Sequence, residues 1–541
     1  MGNYLNPGNS GFSEILQSDY VDKTGMIRLI NQTIGTTKKL TCVSRPRRFG
    51  KSYAVQMLCA YYDRSCDSES LFAGCQIAKE EGWKAHLNRY HVLNLDIAGF
   101  VSEARQEGIA LKEIPARIAE AILREVKEQY PETDMGKTLT ETLLALVEKT
   151  GTRIVFILDE WDAVIRESGG DREAQKRYFS FLRGLFKNGN FTPKAVAAAY
   201  MTGILPIRKD RSQSAISDFY EYSMLQPGAF AEYVGFTEEE VKQLCASHDR
   251  DFASVKNWYD GYMVGSYHSV YNPYSVMQAI HTGMYRSYWK KTSASETLIT
   301  YIDMDQEGLQ EDVVRLVAGE SVEVETGFFE NDVDTFSSRD DVLTLLIHLG
   351  YLTYEEVADS YGEAGDLVTG FSRIPNEEVR TEFRQILRKG KHRELIRLIR
   401  QSDRLLEDTL AGNEEAVAKA ISAVRDLSYA PAFYNDEQSL RYAIKMAYIS
   451  CVDQYAMIEE LPSGHGIADV VFLPKRRSPL PTMVIELKWN RDVAGAIEQI
   501  RDRNYPSVLR SFGGEILLVG ITYDEKNKKH CCRIERISAR K

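Results

Sequence analysis

The feature that most constrains this chain is a series of short apolar runs, each separated from the next by an amphipathic stretch of helical length. KKLTCVS (38–44), YHVLNLDIA (90–98), RIVFILDE (153–160) and AVAAAYMTGI (195–204) are the runs. Helical patterns begin at Lys51 and cover roughly 110–129, 137–149 and 171–187. A strand with no polar face must be covered on both sides, and strands that alternate with helices form a parallel sheet. The first third is therefore expected to be a parallel sheet with helices on both faces.

RPRRFGKS (45–52) falls between the first expected strand and its helix. A phosphate-binding loop needs a run of backbone N–H groups at a helix N-terminus, a lysine and a hydroxyl. Gly50, Lys51 and Ser52 supply the second half of G-x-x-x-x-G-K-[ST], while Arg45 stands at the first glycine position. Arg45, Arg47, Arg48, Gly50, Lys51 and Ser52 are the candidate nucleotide contacts. RIVFILDE ends in Asp159 and Glu160, followed by Trp161 and Asp162. In P-loop ATPases the first acid of such a pair holds Mg²⁺ and the second orients the attacking water. Ser52 and Asp159 are thus candidate metal contacts and Glu160 a candidate catalytic residue, the alternative being that the acids cap the next helix. Thr202, at the end of another strand, is a candidate γ-phosphate sensor. Arg208 and Arg211 follow it and could neutralise transition-state charge, or be ordinary surface arginines.

From about residue 236 the pattern turns helical and aromatic, with VKNWYDGY (255–262) and VYNPYSV (270–276), and 344–356 reads as a helix stopped at Gly350. A boundary is expected in the polar stretch 405–430. Beyond it come a helix (437–450), IADVVFLP (467–474), TMVIELKWN (482–490), a helix at 492–504 and EILLVGITY (515–523). The domains read as 1–235, 236–425 and 426–541. In the last, Glu486 and Lys488 lie two apart on one strand and so on one face, and a hairpin brings Asp469 beside them. Two carboxylates suit a hard cation such as Mg²⁺, and a neighbouring lysine can position the attacking water. An edge strand with one polar face is the plainer reading of I-E-L-K-W.

Net charge of −11 argues against a protein that coats nucleic acid by its overall field, though not against a local basic groove. The run Arg384, Arg388, Lys389, Lys391 and Arg393 reads as a solvated face. Eight scattered cysteines without C-x-x-C spacing read as reduced thiols of a cytosolic protein. MGNYLNPGNSGFSE lacks a secretory pattern, and no apolar segment reaches membrane-spanning length. A soluble, cytoplasmic protein is expected.

YVDKTGMI (20–27), SRPRRFGKS (44–52), ILDEWD (157–162), TGIL (202–205), WYDGY (258–262), YNPYSV (271–276), GYLTY (350–354) and IPNEEVR (374–380) together resemble the bacterial AAA-ATPase-like family, whose members carry a C-terminal PD-(D/E)XK nuclease-superfamily domain. The resemblance runs from about residue 10 to 535. Trp161 departs from the family in standing where an aromatic, often Tyr, is expected. It implies a P-loop NTPase-like sheet, a helical middle region and a nuclease-like α/β domain. It also implies that Asp22 and Lys23 lie near the nucleotide or serve structure. Asp469, Glu486 and Lys488 then form the nuclease core, with Gln499 as a further catalytic residue, Tyr505 on the same helix, and Glu437 as an added acidic metal ligand.

The expected activity is an ATP-binding protein, with ATP hydrolysis, joined to an Mg²⁺- or Mn²⁺-dependent nuclease. Its partners would be nucleotide and nucleic acid, DNA in preference to RNA, with self-association left open. The rival is a nucleotide-dependent nucleic-acid-binding or signalling switch without cleavage. A phosphotransferase is disfavoured because no acceptor-binding motif is evident.

Overall fold

The structure, a computed structural model, describes residues 2–207, 216–289, 308–317, 319–327, 329, 338–356, 369–389, 393–428, 437–448, 451, 454–463, 466–474, 480–490, 493, 495, 497–498 and 515–538. The chain divides into two compact units, Met1–Leu309 with Ser321–Glu382, and Gln310–Glu320 with Phe383–Lys541.

Five parallel strands organise the first unit: β1 (Leu40–Ser44), β2 (His91–Asp96), β3 (Ile154–Asp159), β4 (Val196–Gly203) and β5 (Tyr220–Tyr222), in the order β2-β3-β4-β1-β5. Every residue of β1, β3 and β4 is buried, as strands apolar on both faces require. Leucines, isoleucines and aromatics of the helices Ile97–Gln106, Ile114–Gln129, Leu139–Thr150 and Arg172–Phe186 pack against the sheet. Each such side chain contributes about 1.5–3 kcal/mol when fully buried. Because β1 sits between β4 and β5, the carboxyl ends of β1, β3 and β4 lie side by side, with Val43 level with Thr202 and Leu158 with Met201. Gly203 permits this closeness. A Cβ there would come within 2.7 Å of Asp162 Oδ1 and 2.8 Å of Trp161 Cδ1.

The middle of the chain carries the expected helices Phe252–Tyr259, Pro273–Thr282 and Arg339–Leu349, the last ending at Gly350. It also holds two small antiparallel sheets. One is β6 (Phe236–Thr237), β7 (Tyr262–Val264) and β8 (Tyr267–Tyr271); the other is β9 (Val322–Glu325), β10 (Thr353–Glu356) and β11 (Thr369–Arg373). The aromatic motifs prove to be fasteners. Asn272 caps the Pro273 helix through Tyr274 N and Ser275 N, and its Nδ2 donates to Arg47 O at 3.4 Å. Asn376 Nδ2 donates to Tyr259 O at 3.2 Å.

In the second unit, β12 (Tyr455–Ser463), β13 (Gly466–Pro474), β14 (Thr482–Trp489), β15 (Glu515–Asp524) and β16 (Lys529–Ser538) form one mixed sheet in that order, with only β14 and β15 parallel. The helices Arg393–Ala411, Glu414–Ser428 and Glu437–Ala447 cover one face, and a smaller cluster including Val471, Val484, Ile497 and Leu518 lies on the other. Among the described residues no helix is long and apolar enough to cross a membrane.

Candidate functional site

The loop between β1 and the helix Lys51–Tyr62 takes left-handed backbone at Arg48 (φ 68°) and at Gly50 (φ 89°), the residue that caps the helix. Glycine adopts that conformation without strain, which suits Gly50 to the turn into the helix. Lys51 is 4% exposed. Its ammonium donates to Arg45 O (3.1 Å) and Pro46 O (2.9 Å) and lies 3.6 Å from Glu160 Oε1. Burial pulls its pKa down, against the upward pull of Glu160. Ser52 Oγ donates to Asp159 Oδ2 at 2.7 Å, and burial raises the Asp159 carboxyl to about 6.

Glu160 leaves β3 with φ 50°, an uncommon conformation for a side-chain-bearing residue and one found at functional turns. Burial pushes its carboxyl up, but Lys51, Arg166 and Arg47 together outweigh that and hold it below the usual range. Arg166 Nη2 donates to Glu160, and Arg166 Nε donates to Asp162 Oδ2 at 3.0 Å. The same Asp162 oxygen accepts from Ile204 N and Leu205 N, so the ILDEWD turn anchors the exit of β4.

These groups border a cavity of about 880 Å³ that Arg47, Arg48, Gly50, Lys51, Ser52 and Glu160 all line. The Arg48 guanidinium lies over the Tyr274 ring, 4.4 Å from its centre, and donates to Tyr288 O. Arg47 makes no side-chain hydrogen bond or ion pair among the described residues. Two expected contacts lie elsewhere. Arg45 is fully buried and donates to Ser44 O and Tyr222 O, away from the cavity. Thr202 is fully buried too, and does not line the cavity. Asp159 reaches the cavity wall only through Ser52. Arg208 and Arg211 lie outside the described residues. Asp22 binds Thr24 N and Gln76 N, a structural use, while Lys23 lines the cavity and pairs with Glu240 at 2.7 Å. Sequence reading missed Arg166 and Tyr274. Arg166 lies four residues after Asp162, and Tyr274 sits within YNPYSV, so their signal was spacing and motif membership.

In the second unit β13 and β14 pair antiparallel, with Val470 opposite Ile485. The next position along sets Asp469 beside Glu486. Asp469 Oδ2 accepts from Leu487 N at 2.8 Å, and its Oδ1 lies 3.2 Å from Arg441 Nη2. Lys488 Nζ donates to Glu486 Oε1 at 3.2 Å, both side chains being almost wholly buried. The three expected residues thus come together. Arg441, on the helix that starts at Glu437, is the member the sequence did not flag. Glu437 is exposed at the start of that helix, and Gln499 and Tyr505 lie outside the described residues.

Two family models match the chain, a predicted AAA-ATPase over residues 7–212 and the PD-(D/E)XK nuclease superfamily over 435–532. No curated protein sequence matches it significantly. Solved structures similar to it include the Aeropyrum pernix ORC2 protein in ADPNP–ADP complexes, with 11% identity, 69% of this chain and 96% of that one covered, and a TM-score of 0.28. The Aeropyrum pernix ORC1 protein in complex with DNA aligns at 12% identity over 69% of this chain and 94% of its own, with a TM-score of 0.24. PCH-2 of C. elegans aligns at 11% identity over 70% and 66%, with a TM-score of 0.20. The parallel sheet with its phosphate-type loop thus falls in the part that matches the AAA-ATPase model, and the Asp469–Glu486–Lys488 cluster in the part that matches the PD-(D/E)XK nuclease superfamily.

Proposed function

We propose that this chain binds and hydrolyses ATP in its first unit and cuts nucleic acid, DNA in preference to RNA, with a divalent cation in its second. The observation that carries the reading is the Asp469–Glu486–Lys488 cluster. Burying charged groups in an otherwise apolar strand costs free energy, and a chemical task explains why such a strand carries them. The donor set is all carboxylate oxygen, which fits Mg²⁺ or Mn²⁺. Such an ion, when bound, stabilises the charge that develops on the phosphate and makes its water more acidic. Asp469 and Glu486 would hold it. Lys488 would orient the attacking water, and Arg441 keeps the Asp469 carboxylate turned toward β14. Glu437 and Gln499 are proposed as auxiliary residues on the family resemblance.

In the first unit the Gly50 turn and the N-terminus of the Lys51 helix would cradle phosphates, with Lys51, Arg47 and Arg48 supplying charge. The Ser52 hydroxyl and Asp159 carboxylate, already 2.7 Å apart, would hold Mg²⁺, and Glu160 would position water. The cavity volume of about 880 Å³ is in the range of small-molecule sites.

The test is to incubate the purified protein with single-stranded DNA, duplex DNA and RNA, with Mg²⁺ or Mn²⁺, with and without ATP. Cleavage is expected in wild type and lost in Asp469→Ala and Glu486→Ala, with far-ultraviolet circular dichroism unchanged. A variant that cuts at the wild-type rate removes the site assignment. Retained nucleotide binding without cleavage in any condition favours the switch.

A further inference from the structure

At the rim of the same cavity, three polar side chains from distant parts of the first unit converge. Asp19 precedes the D-K-T segment, His248 caps the C-terminus of the helix Glu238–Ser247, and His281 lies in the last turn of the Pro273 helix. Asp19 Oδ2 is 2.8 Å from His281 Nε2, and Asp19 Oδ1 is 3.2 Å from His248 Nε2. One ligand atom from each residue lies within 4.8 Å of the other two, and this is the single such group of three among the described residues.

The hydrogen bonding of His248 adds a second, independent observation. Its Nδ1 is 3.1 Å from Leu244 O and 3.0 Å from Ser247 Oγ. A carbonyl oxygen can only accept, so the proton belongs on Nδ1, and neutral imidazole then presents a bare lone pair at Nε2. That lone pair faces a carboxylate oxygen, an arrangement that repels unless a proton or a cation lies between. An imidazole whose other nitrogen donates to a backbone carbonyl is the usual arrangement of a metal-ligating histidine.

We propose that Asp19, His248 and His281 bind a divalent cation of the zinc class. Two imidazoles and one carboxylate suit Zn²⁺ and its neighbours rather than Mg²⁺, which separates this site from the two oxygen-rich ones. Metal–ligand bonds of about 2.0–2.2 Å in a tetrahedron set ligand atoms roughly 3.3 Å apart. The 2.8 and 3.2 Å separations run from the two different oxygens of Asp19, and one ligand atom from each residue lies within 4.8 Å of the others, so the side chains, 27–50% exposed, need to draw together by at most about 1.5 Å onto a shared ion. Solvent can fill the fourth position. Asp19 and His281 also line the cavity, so the ion would pin the segment before D-K-T to two helices at the cavity rim.

The test titrates chelator-treated, full-length protein with Co²⁺, whose visible bands report its coordination geometry, in excess Mg²⁺ and at pH 8, where free imidazole is neutral. Expected is one Co²⁺ per chain, displaced by Zn²⁺, and bound at least about tenfold more weakly by His248→Gln, His281→Gln and Asp19→Asn. Far-ultraviolet circular dichroism on the same samples reports that each variant is folded, independently of the nucleotide reading. Absence of a Co²⁺ site in wild type overturns the proposal and leaves proton-mediated Asp–His pairs. Equal affinity in wild type and all three variants overturns it as well.

Discussion

Lys51 spends its charge on the loop's own carbonyls and on Glu160, so a phosphate would compete for an ammonium already in place and already desolvated. Hydrogen bonds to charged groups are worth about 1.5–3 kcal/mol, so Lys51→Ala is expected to weaken ATP binding by roughly 10- to 150-fold in calorimetry. Glu160 sits among Lys51, Arg166 and Arg47 but holds no part of the loop's backbone. Glu160→Gln should leave binding within a few-fold of wild type while slowing hydrolysis by about a hundredfold in a phosphate-release assay. Unchanged hydrolysis in that variant would move the water-positioning role elsewhere. No binding by wild type would leave RPRRFGKS a structural loop.

At the scale of elements, the helix Glu377–Lys389 and the helix Pro273–Thr282 meet at a buried carboxyl. Glu378 Oε1 accepts from Ser275 Oγ (2.9 Å) and Tyr288 N (2.8 Å), and Tyr288 O in turn accepts from Arg48. Burial raises Glu378 to about 7, with Glu382 pushing the same way and the two hydrogen bonds and Arg48 opposing. Its folded value lies above the ordinary value of 4.5. The folded state therefore holds this proton more tightly than the unfolded chain. That contribution to stability is complete below about pH 4.5 and is lost as pH rises through 7. Glu378→Gln keeps the accepting oxygen and removes the titration. Denaturant melts should show the variant gaining on wild type between pH 4.5 and 8, by up to about 3 kcal/mol. A difference that is flat with pH would mean that Glu378 is ionised in the folded protein.

For the whole molecule, the chain crosses between the units at Leu309/Gln310, Glu320/Ser321 and Glu382/Phe383, the last inside the helix Glu377–Lys389 and not in a Gly-, Ser- or Pro-rich tether. With no flexible tether at that crossing, the two proposed activities are expected to be linked. Allosteric coupling of about 1–3 kcal/mol corresponds to roughly 5- to 150-fold. A non-hydrolysable ATP analogue should change cleavage rate or nucleic-acid affinity at least about fivefold in the full chain, and not in Lys51→Ala. Equal cleavage with and without the analogue in wild type would make the two halves merely fused.

Both families and most strands were legible because their signals are local. β1, β3 and β4 were expected within two residues of where they lie, since a strand buried on both faces admits little but apolar residues. The placing of Lys51 and Ser52 at a helix start, and of Glu486 and Lys488 on one strand, could be read because it depends on short spacings. The short strand β5 and the flanking strands β12 and β16 lacked so clear a pattern; their places come from pairing with distant partners. Tertiary structure alone turned Arg45 into the protein and left Arg47 and Arg48 at the cavity, because only the pairing of β1 with β5 puts the Tyr222 carbonyl within reach of Arg45. It alone brought Arg441 to Asp469, and Asp19 to His248 and His281. Contacts across 28 to more than 200 residues leave no trace in a single sequence, since each partner is free to be a surface residue until the fold sets them together.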